Sequence, residues 1–386
     1  MIKQETTQDS GKDAPRLPTR LEGPRLPIGG AGKELGIFVL LVVLCIFVTV
    51  MSGGSFLHAN NLQNTSRLIG IYGIFSIGLG IVIITGGIDL SVGSLFALLG
   101  VLLSLMLTEW HWAWPLAVLA TLAAGGLIGM LHGFLITRVN LQPFIVTLCG
   151  LLAYRGLARI ISGDGTMGFG TAGGFEKLQV LASGSVGIVI KHYQFFHGLR
   201  LLKHSPFLHG FSLPAFALVP VGVPVPFLFL IVTACIMGVV LHRSVYGRYL
   251  YAVGRNEEAA RYSGVNSKRV IAGAYVISAV LAGIAAILLG FYTNSISPST
   301  HGQSYELYGI AAAVLGGCSL RGGEGSIAGI LIGTALLQVL RNLVNLVTIN
   351  GHSIPTSSEA VVVGAVILVG VGIDELLRRR KTSRVK

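Results

Sequence analysis

Charge is what this chain has least of. Only 11% of its 386 residues are Asp, Glu, Lys or Arg, less than half of the roughly 25% usual in soluble domains, while 52% are hydrophobic and the mean hydropathy is +0.75. Too little polar surface remains to cover a water-soluble globule of this size, so lipid must serve as solvent. The ~10-residue alternating segments of a transmembrane barrel are missing. Apolar runs near the ~20 residues needed to cross a bilayer recur instead, which predicts an all-α polytopic membrane protein. Cysteine is scarce too: Cys45, Cys149, Cys235 and Cys318 lie in or beside apolar runs without metal-ligand spacing, and read as small core residues. A phosphate-binding loop is also lacking. Gly32 and Lys33 come nearest, but Pro27 stands where the leading glycine belongs and Glu34 replaces the Ser or Thr. With no Ser/His/Asp, Cys/His or paired-carboxylate constellation either, the chain is expected to be no enzyme and to hold no cofactor of its own.

The net charge of +12 sits in two places. Six basic residues fall between Arg378 and Lys386, and six more between Arg243 and Arg269. Both clusters flank apolar runs, as the positive-inside rule predicts, and no aromatic-interleaved basic face points to nucleic acid. Runs and charge together predict ten spans, at 35–51, 67–86, 90–107, 113–136, 143–161, 223–242, 270–292, 305–319, 325–346 and 357–377, with both termini cytoplasmic. Residues 1–34 form a polar tail rich in Pro and Gly, expected to be disordered; 35–377 form the membrane domain and 378–386 a basic cytoplasmic tail. Trp110, Trp112 and Trp114 mark an outer aromatic belt. Gly86, Gly87 and Asp89 interrupt a nearly continuous apolar run, so the sequence admits a broken helix there. Segment 162–222 lacks a convincing span and reads as a long, solvated external loop; its histidines at 192, 197, 204 and 209 have no close spacing, so no metal site is expected.

Residues 243–270 form a charged island between two apolar runs. Asn256 can cap a helix, Glu257 and Glu258 suit its positive end, and Gly264 supplies a stop, which predicts a short cytoplasmic docking helix. Thr85 to Ser94 joins two glycines, Asp89 and the Ser91 hydroxyl between apolar runs. An acid at membrane depth suggests function, while the local reading, favoured here, has Asp89 capping a helix that begins at Leu90. Gln338, Arg341, Asn342 and Asn345 fall at i, i+3, i+4 and i+7, one face of an otherwise apolar helix, suited either to a polar cavity or to interhelical hydrogen bonds. Tyr292, Asn294, Tyr305, Glu306 and Tyr308 add polar and aromatic groups near the outer mouth. Glycine stripes at 125, 129, 133 and at 325, 329, 333 predict close helix contacts.

The run from Val82 to Ser94 closely resembles the junction of the second and third spans in the permease subunits of ribose-type sugar ABC importers. Matching stretches follow in order: Gln142 to Leu148 with Arg155 and Gly156; Tyr246 to Gly264; and Ile310 to Gly317 with Ser319, Leu320, Gly322, Gly323, Gly325 and Ser326. The resemblance implies a type II-like importer permease in a bacterial inner membrane, as a homodimer or paralogous heterodimer. Its partners would be an extracytoplasmic solute-binding protein and ABC ATPase subunits that hold ATP and Mg²⁺. It also implies that Asn256, Glu257, Glu258, Ala259, Ala260, Arg261 and Gly264 form the element that couples to the ATPase, and that the solute is a monosaccharide or sugar-like. Asp89, Ser91, Asn294, Gln338, Arg341, Asn342 and Asn345 are the candidate residues of the translocation path. The chain departs from the family pattern at Tyr308, where an acid is usual, at Glu324, where Arg is frequent, and at Arg341, where Asn is common; the external loop is also longer, by an insertion near 188–211. Permeases for an amino acid or nucleoside, and an ion-coupled secondary transporter, are the competing readings. The second demands an ionisable relay deep in the bilayer, and the acids fall mostly near predicted span ends.

Overall fold

The computed structural model describes residues 30–170, 173–187, 222–349, 352–353, 355, 358–365 and 368. The basic tail at 378–386, the insertion near 188–211 with all four histidines, and residues 1–29 of the N-terminal tail lie outside them. The described chain is helical: α1 (Gly30–Met51), α2 (Ala59–Ile84), α3 (Val92–Thr108), α4 (Trp114–Thr137), α5 (Pro143–Ser162), α6 (Phe175–Ser183), α7 (Val225–His242), α8 (Val245–Arg255), α9 (Glu257–Tyr262), α10 (Ser267–Thr293), α11 (Tyr305–Leu315) and α12 (Ile327–Leu346). Seven of these are long and apolar enough to cross a membrane, namely α1, α2, α4, α5, α7, α10 and α12. Residues 358–365 of the last predicted span are helical as well.

Helix α2 is the axis of the bundle. Every residue from Gly70 to Ile84 is buried, with α7, α10, α11 and α12 around it. Its glycines allow that crowding: a Cβ on Gly70 would lie 2.5 Å from the Pro226 carbonyl carbon of α7, and one on Gly78 would lie 2.9 Å from Ser278 Cα of α10. The two predicted stripes are close contacts of the same kind. Gly125, Gly129 and Gly133 seat α4 on Ala279, Val276 and Ala272 of α10, and Gly329 and Gly333 seat α12 on Gly316 and Ala312. Helix α1 packs one side on α12, with most of its other apolar side chains exposed.

Four expectations need correction. Helix α1 starts at Gly30, so residues 30–34 belong to it and not to a disordered tail; the Glu34 carboxylate accepts the Ser326 hydroxyl, which also caps α12. The 67–86 and 90–107 spans are two helices with the chain broken between them, as the sequence admitted, but their starts differ: α2 begins at Ala59 and α3 only at Val92. The 305–319 span is no complete crossing: α11 has 11 residues, roughly 16 Å, about half the hydrocarbon thickness. The chain that leads into it, residues 297–304, is non-helical and partly buried. Ile296 lies against Gly100 of α3 and Gly302 against Gly93, so residues 296–302 run alongside about two turns of α3. Segment 162–222, finally, is folded down onto the bundle in its described parts. Met167–Gly168 pairs antiparallel with Ser295–Ile296, and Ser185–Gly187 with Gly222–Pro224. Leu178 and Ala182 of α6 are buried, and Phe169 and Phe175 contact the ring of Phe291.

Candidate functional site

At one end of the bundle, four successive caps shape the predicted docking region into two helices where one was expected. Ser244 Oγ accepts from Gly247 N at 3.1 Å and opens α8; Asn256 Oδ1 accepts from Ala259 N at 2.9 Å and opens α9; Gly264, at φ 84, ends it; Asn266 Oδ1 accepts from Arg269 N at 3.1 Å and opens α10. On α9 the side chains of Glu257, Glu258, Ala259 and Arg261 are exposed, as are Asn256 and Gly264 around it; of the seven predicted coupling residues only Ala260 is buried. Helix α8 anchors this surface. Its Tyr246 hydroxyl donates to Val270 O at 2.9 Å and its Tyr251 hydroxyl to Gly325 O at 2.7 Å, and burial pushes both phenols far above the usual tyrosine range. Gly254 and Gly323 close on the end of α2, where Gly323 N donates to Ile84 O at 2.8 Å. A side chain at Gly254 would collide with Gly323 N at 2.5 Å. The exposed helix is therefore in rigid contact, through α8, with the break that follows α2. Between them lies a cavity of about 360 Å³ whose walls include Thr85, Gly86, Thr137, Gln142, Glu257 and Lys268.

Within the break, Asp89 is 2% exposed and Ser91 fully buried. Asp89 Oδ1 accepts from Ser91 N at 3.0 Å and from Ser91 Oγ at 2.7 Å, and Oδ2 from Ser278 Oγ at 3.3 Å. The carboxylate thus folds its own turn and bridges to α10, three residues ahead of the helix it was expected to cap; α3 starts at Val92, and its N-cap Ser91 makes no side-chain cap bond. Ser278 is the twelfth residue of α10, roughly 16 Å along the helix, which puts this acid deep in the bundle rather than at a span end. Thr147 and Tyr275 both donate to Ile88 O, at 3.2 and 3.4 Å, and Tyr154 OH meets His132 Nε2 at 2.8 Å. Beside them Arg155 satisfies the non-helical passage, donating to Pro298 O at 3.0 Å, His301 O at 2.6 Å and Gly93 O at 3.2 Å. The Glu306 carboxylate, also buried, packs against Gly93.

The polar stripe of α12 divides by function. Gln338 and Arg341 line a narrow crevice with Tyr72, Ser76, Tyr308 and Thr334. Asn342 instead bonds across to α2, its Nδ2 donating to Asn61 Oδ1 at 2.9 Å and to Thr65 Oγ1 at 2.5 Å. Asn345 is exposed, and so is Asn294, at the far end of α10 with φ 57. The candidate path residues therefore fall in separate places, and the structure does not gather them into one site. Sequence reading passed over Tyr72, Ser76, Ser278, Thr147 and Thr334; the only available signal was a lone hydroxyl in an apolar helix, which usually returns to its own backbone, as Ser76 and Thr334 do here.

Comparison with known proteins bears on this arrangement. Residues 61–371 match the family model described as branched-chain amino acid transport system / permease component. The chain is 35% identical to the ribose import permease protein of Bacillus subtilis, over 94% of this chain and 98% of that protein. It is 33% identical to the xylose transport system permease protein of Haemophilus influenzae, over 88% and 96%, and 30% identical to the fructose import permease protein of Bifidobacterium longum, over 90% and 89%. No solved structure gives a significant match.

Proposed function

We propose a function from one premise: the chain belongs to the branched-chain amino acid transport system / permease component family. It is the multi-pass membrane permease of an ABC importer, and its solute is a monosaccharide or sugar-like molecule, the class named in its ribose, xylose and fructose relatives. Its partners are a pair of ATPase subunits carrying ATP and Mg²⁺, an extracytoplasmic binding protein that delivers the solute, and a second permease copy. It resides in a bacterial inner membrane with α8, α9 and both termini on the cytoplasmic side.

The observation that carries this reading is the exposed, capped α9 held through α8 against the break after α2. Closure of the ATPases would press on α9, and the contact of Gly254 and Gly323 with Ile84 would pass that displacement to the Asp89 turn and the passage packed on α3. Co-reconstitution with the ATPase and binding protein encoded beside it should give uptake of D-ribose or D-xylose that stops when ATP is withheld. Uptake by the chain alone, or uptake that follows a proton gradient at constant ATP, would overturn the reading. The family description keeps branched-chain amino acids in the comparison, and leucine uptake exceeding that of every pentose and hexose would replace sugar with that class.

A further inference from the structure

The chain between α10 and α11 lies at a depth where its own chemistry forbids contact with lipid. Ile296 sits beside Gly100 and Gly302 beside Gly93, positions on α3 that lie roughly 12 and 22 Å below its outer end at Thr108 and the aromatic belt that follows. The stretch between them is therefore inside a hydrocarbon layer about 30 Å thick. Yet six of the eight residues 297–304 are Ser, Thr, His or Gln, the backbone there is non-helical, and Ser299, Thr300 and Gln303 are exposed. Of these three, Ser299 meets Ser297 Oγ at 3.3 Å, while the Thr300 hydroxyl and the Gln303 amide have no hydrogen-bond partner among the described residues.

Irregular backbone at membrane depth is tolerated only where protein covers it or where it lines a water-filled space. Arg155 and α3 supply cover from behind, through the carbonyls of Pro298 and His301 and the contact at Gly93. The exposed side chains face away from that support. A dry contact there would oblige a hydroxyl and an amide to find partners in register or go unpaired, whereas water satisfies every donor and acceptor they carry. The polar surface also has an end. One turn beyond Gln303, α11 presents Leu307, 58% exposed, so the hydrophilic face reaches from the outer side to mid-depth and stops. Building on the importer reading, we propose that residues 299–303 form one wall of a water-filled cleft, open to the outer side and closed at Leu307, through which the solute enters. Ser299, Thr300 and Gln303 are the side chains it meets, and a second permease copy supplies the facing wall.

Cysteine reactivity on the whole importer complex in proteoliposomes tests this. The background carries Cys45→Ala, Cys149→Ala and Cys235→Ala and keeps the buried Cys318. In it, Ser299→Cys, Thr300→Cys and Gln303→Cys are each treated with the membrane-impermeant cation 2-(trimethylammonium)ethyl methanethiosulfonate. The controls are Ile236→Cys of α7 and Leu127→Cys of α4, exposed apolar positions roughly 16 and 20 Å from the outer ends of their helices. The three cleft thiols should react at least about tenfold faster than the controls, since apolar surroundings that raise a thiol pKa by one unit remove about nine-tenths of its thiolate. Modified Thr300→Cys and Gln303→Cys should lose ATP-driven uptake of D-ribose and D-xylose. Should the cysteine variants fail to assemble, Gln303→Glu serves instead: water accommodates a carboxylate where lipid or a dry contact does not, so its melting temperature should match wild type, and a fall would overturn the inference. Reaction no faster than at the controls, cross-linking of Ser299→Cys between copies without reaction with the cation, or fast reaction that leaves uptake intact would overturn it too. Those results in a complex that takes up solute sink this inference alone; a wild-type complex without ATP-driven uptake sinks the importer reading and this inference with it.

Discussion

Replacing Asn256 by Ala removes one hydrogen bond from α9, the shortest α-helix among the described residues. The Asn256 side chain accepts from Ala259 N at 2.9 Å, and α9 has only six residues, with Ala260 its one buried side chain. Tertiary contacts therefore do little to hold the helix, and its cap carries a large share of its stability. Loss of an Asn cap costs about 1 kcal/mol, which corresponds to about a fivefold rise in the local opening equilibrium. Hydrogen exchange followed by mass spectrometry on peptides covering 256–264 should show that increase, while peptides from α2 and α10 stay at wild-type rates. Asn256→Asp keeps the acceptor and adds a negative charge where the helix dipole favours it, so its exchange should match or fall below wild type. If α9 transmits the ATPase stroke, ATP-driven uptake should follow the same order: Asn256→Asp near wild type and Asn256→Ala lower. Equal exchange in wild type and Asn256→Ala, or Asn256→Asp as fast as Asn256→Ala, would refute the reasoning that the cap holds this helix.

Three further outcomes follow from contacts within the bundle. Gly129→Ala would put a Cβ 2.7 Å from Val276 Cα and 2.8 Å from Tyr275 O, an overpacking of about 1–3 kcal/mol that should lower the melting temperature of the purified protein; Gly126→Ala, whose Cβ meets only Val280 Cγ2 at 3.6 Å, should leave it unchanged. Arg155→Lys substitutes a point charge for a planar fork that now serves three carbonyls, so limited proteolysis within 294–304 should speed up several-fold while membrane insertion is retained. Asp89→Ala leaves the Ser91 and Ser278 donors without their acceptor, a loss of about 1–3 kcal/mol readable by thermal melting, and Asp89→Asn, which keeps an oxygen acceptor, should recover most of it.

Much of the docking region was legible along the chain because its signals are local. Asn256, the two acids and Gly264 lie within nine residues, and a cap or an αL stop depends only on neighbouring backbone. The second helix α8 was missed, since its amphipathic pattern makes sense only once the partners of Tyr246 and Tyr251, Val270 and Gly325, are known. The glycine stripes were read correctly at 125, 129 and 133 and at 329 and 333 for the same local reason, small residues every fourth position lying on one face whatever that face meets, while Gly325 falls before α12. Polar residues inside apolar helices were harder. Gln338, Arg341, Asn342 and Asn345 share a face by periodicity, yet one bonds to α2, two line a crevice and one is exposed, because helix packing rather than spacing decides what each side chain meets.

The sequence by itself determined the solvent, the helical class, the break near Asp89 and the capped α9, since each follows from composition, periodicity or a motif of a few residues. It did not determine that the link between the spans at 270–292 and 305–319 folds back along α3. Residues 294–304 are mostly polar, as a solvated link would be, and only the guanidinium of Arg155, delivered from α5 more than 140 positions away in the chain, holds the carbonyls of Pro298 and His301 against the bundle. Nor did it determine that Arg341 carries a neutralised charge. Glu359 reaches it only because α12 and the following helical segment fold side by side, and the charge there is set by that proximity in space, which no spacing along the chain encodes.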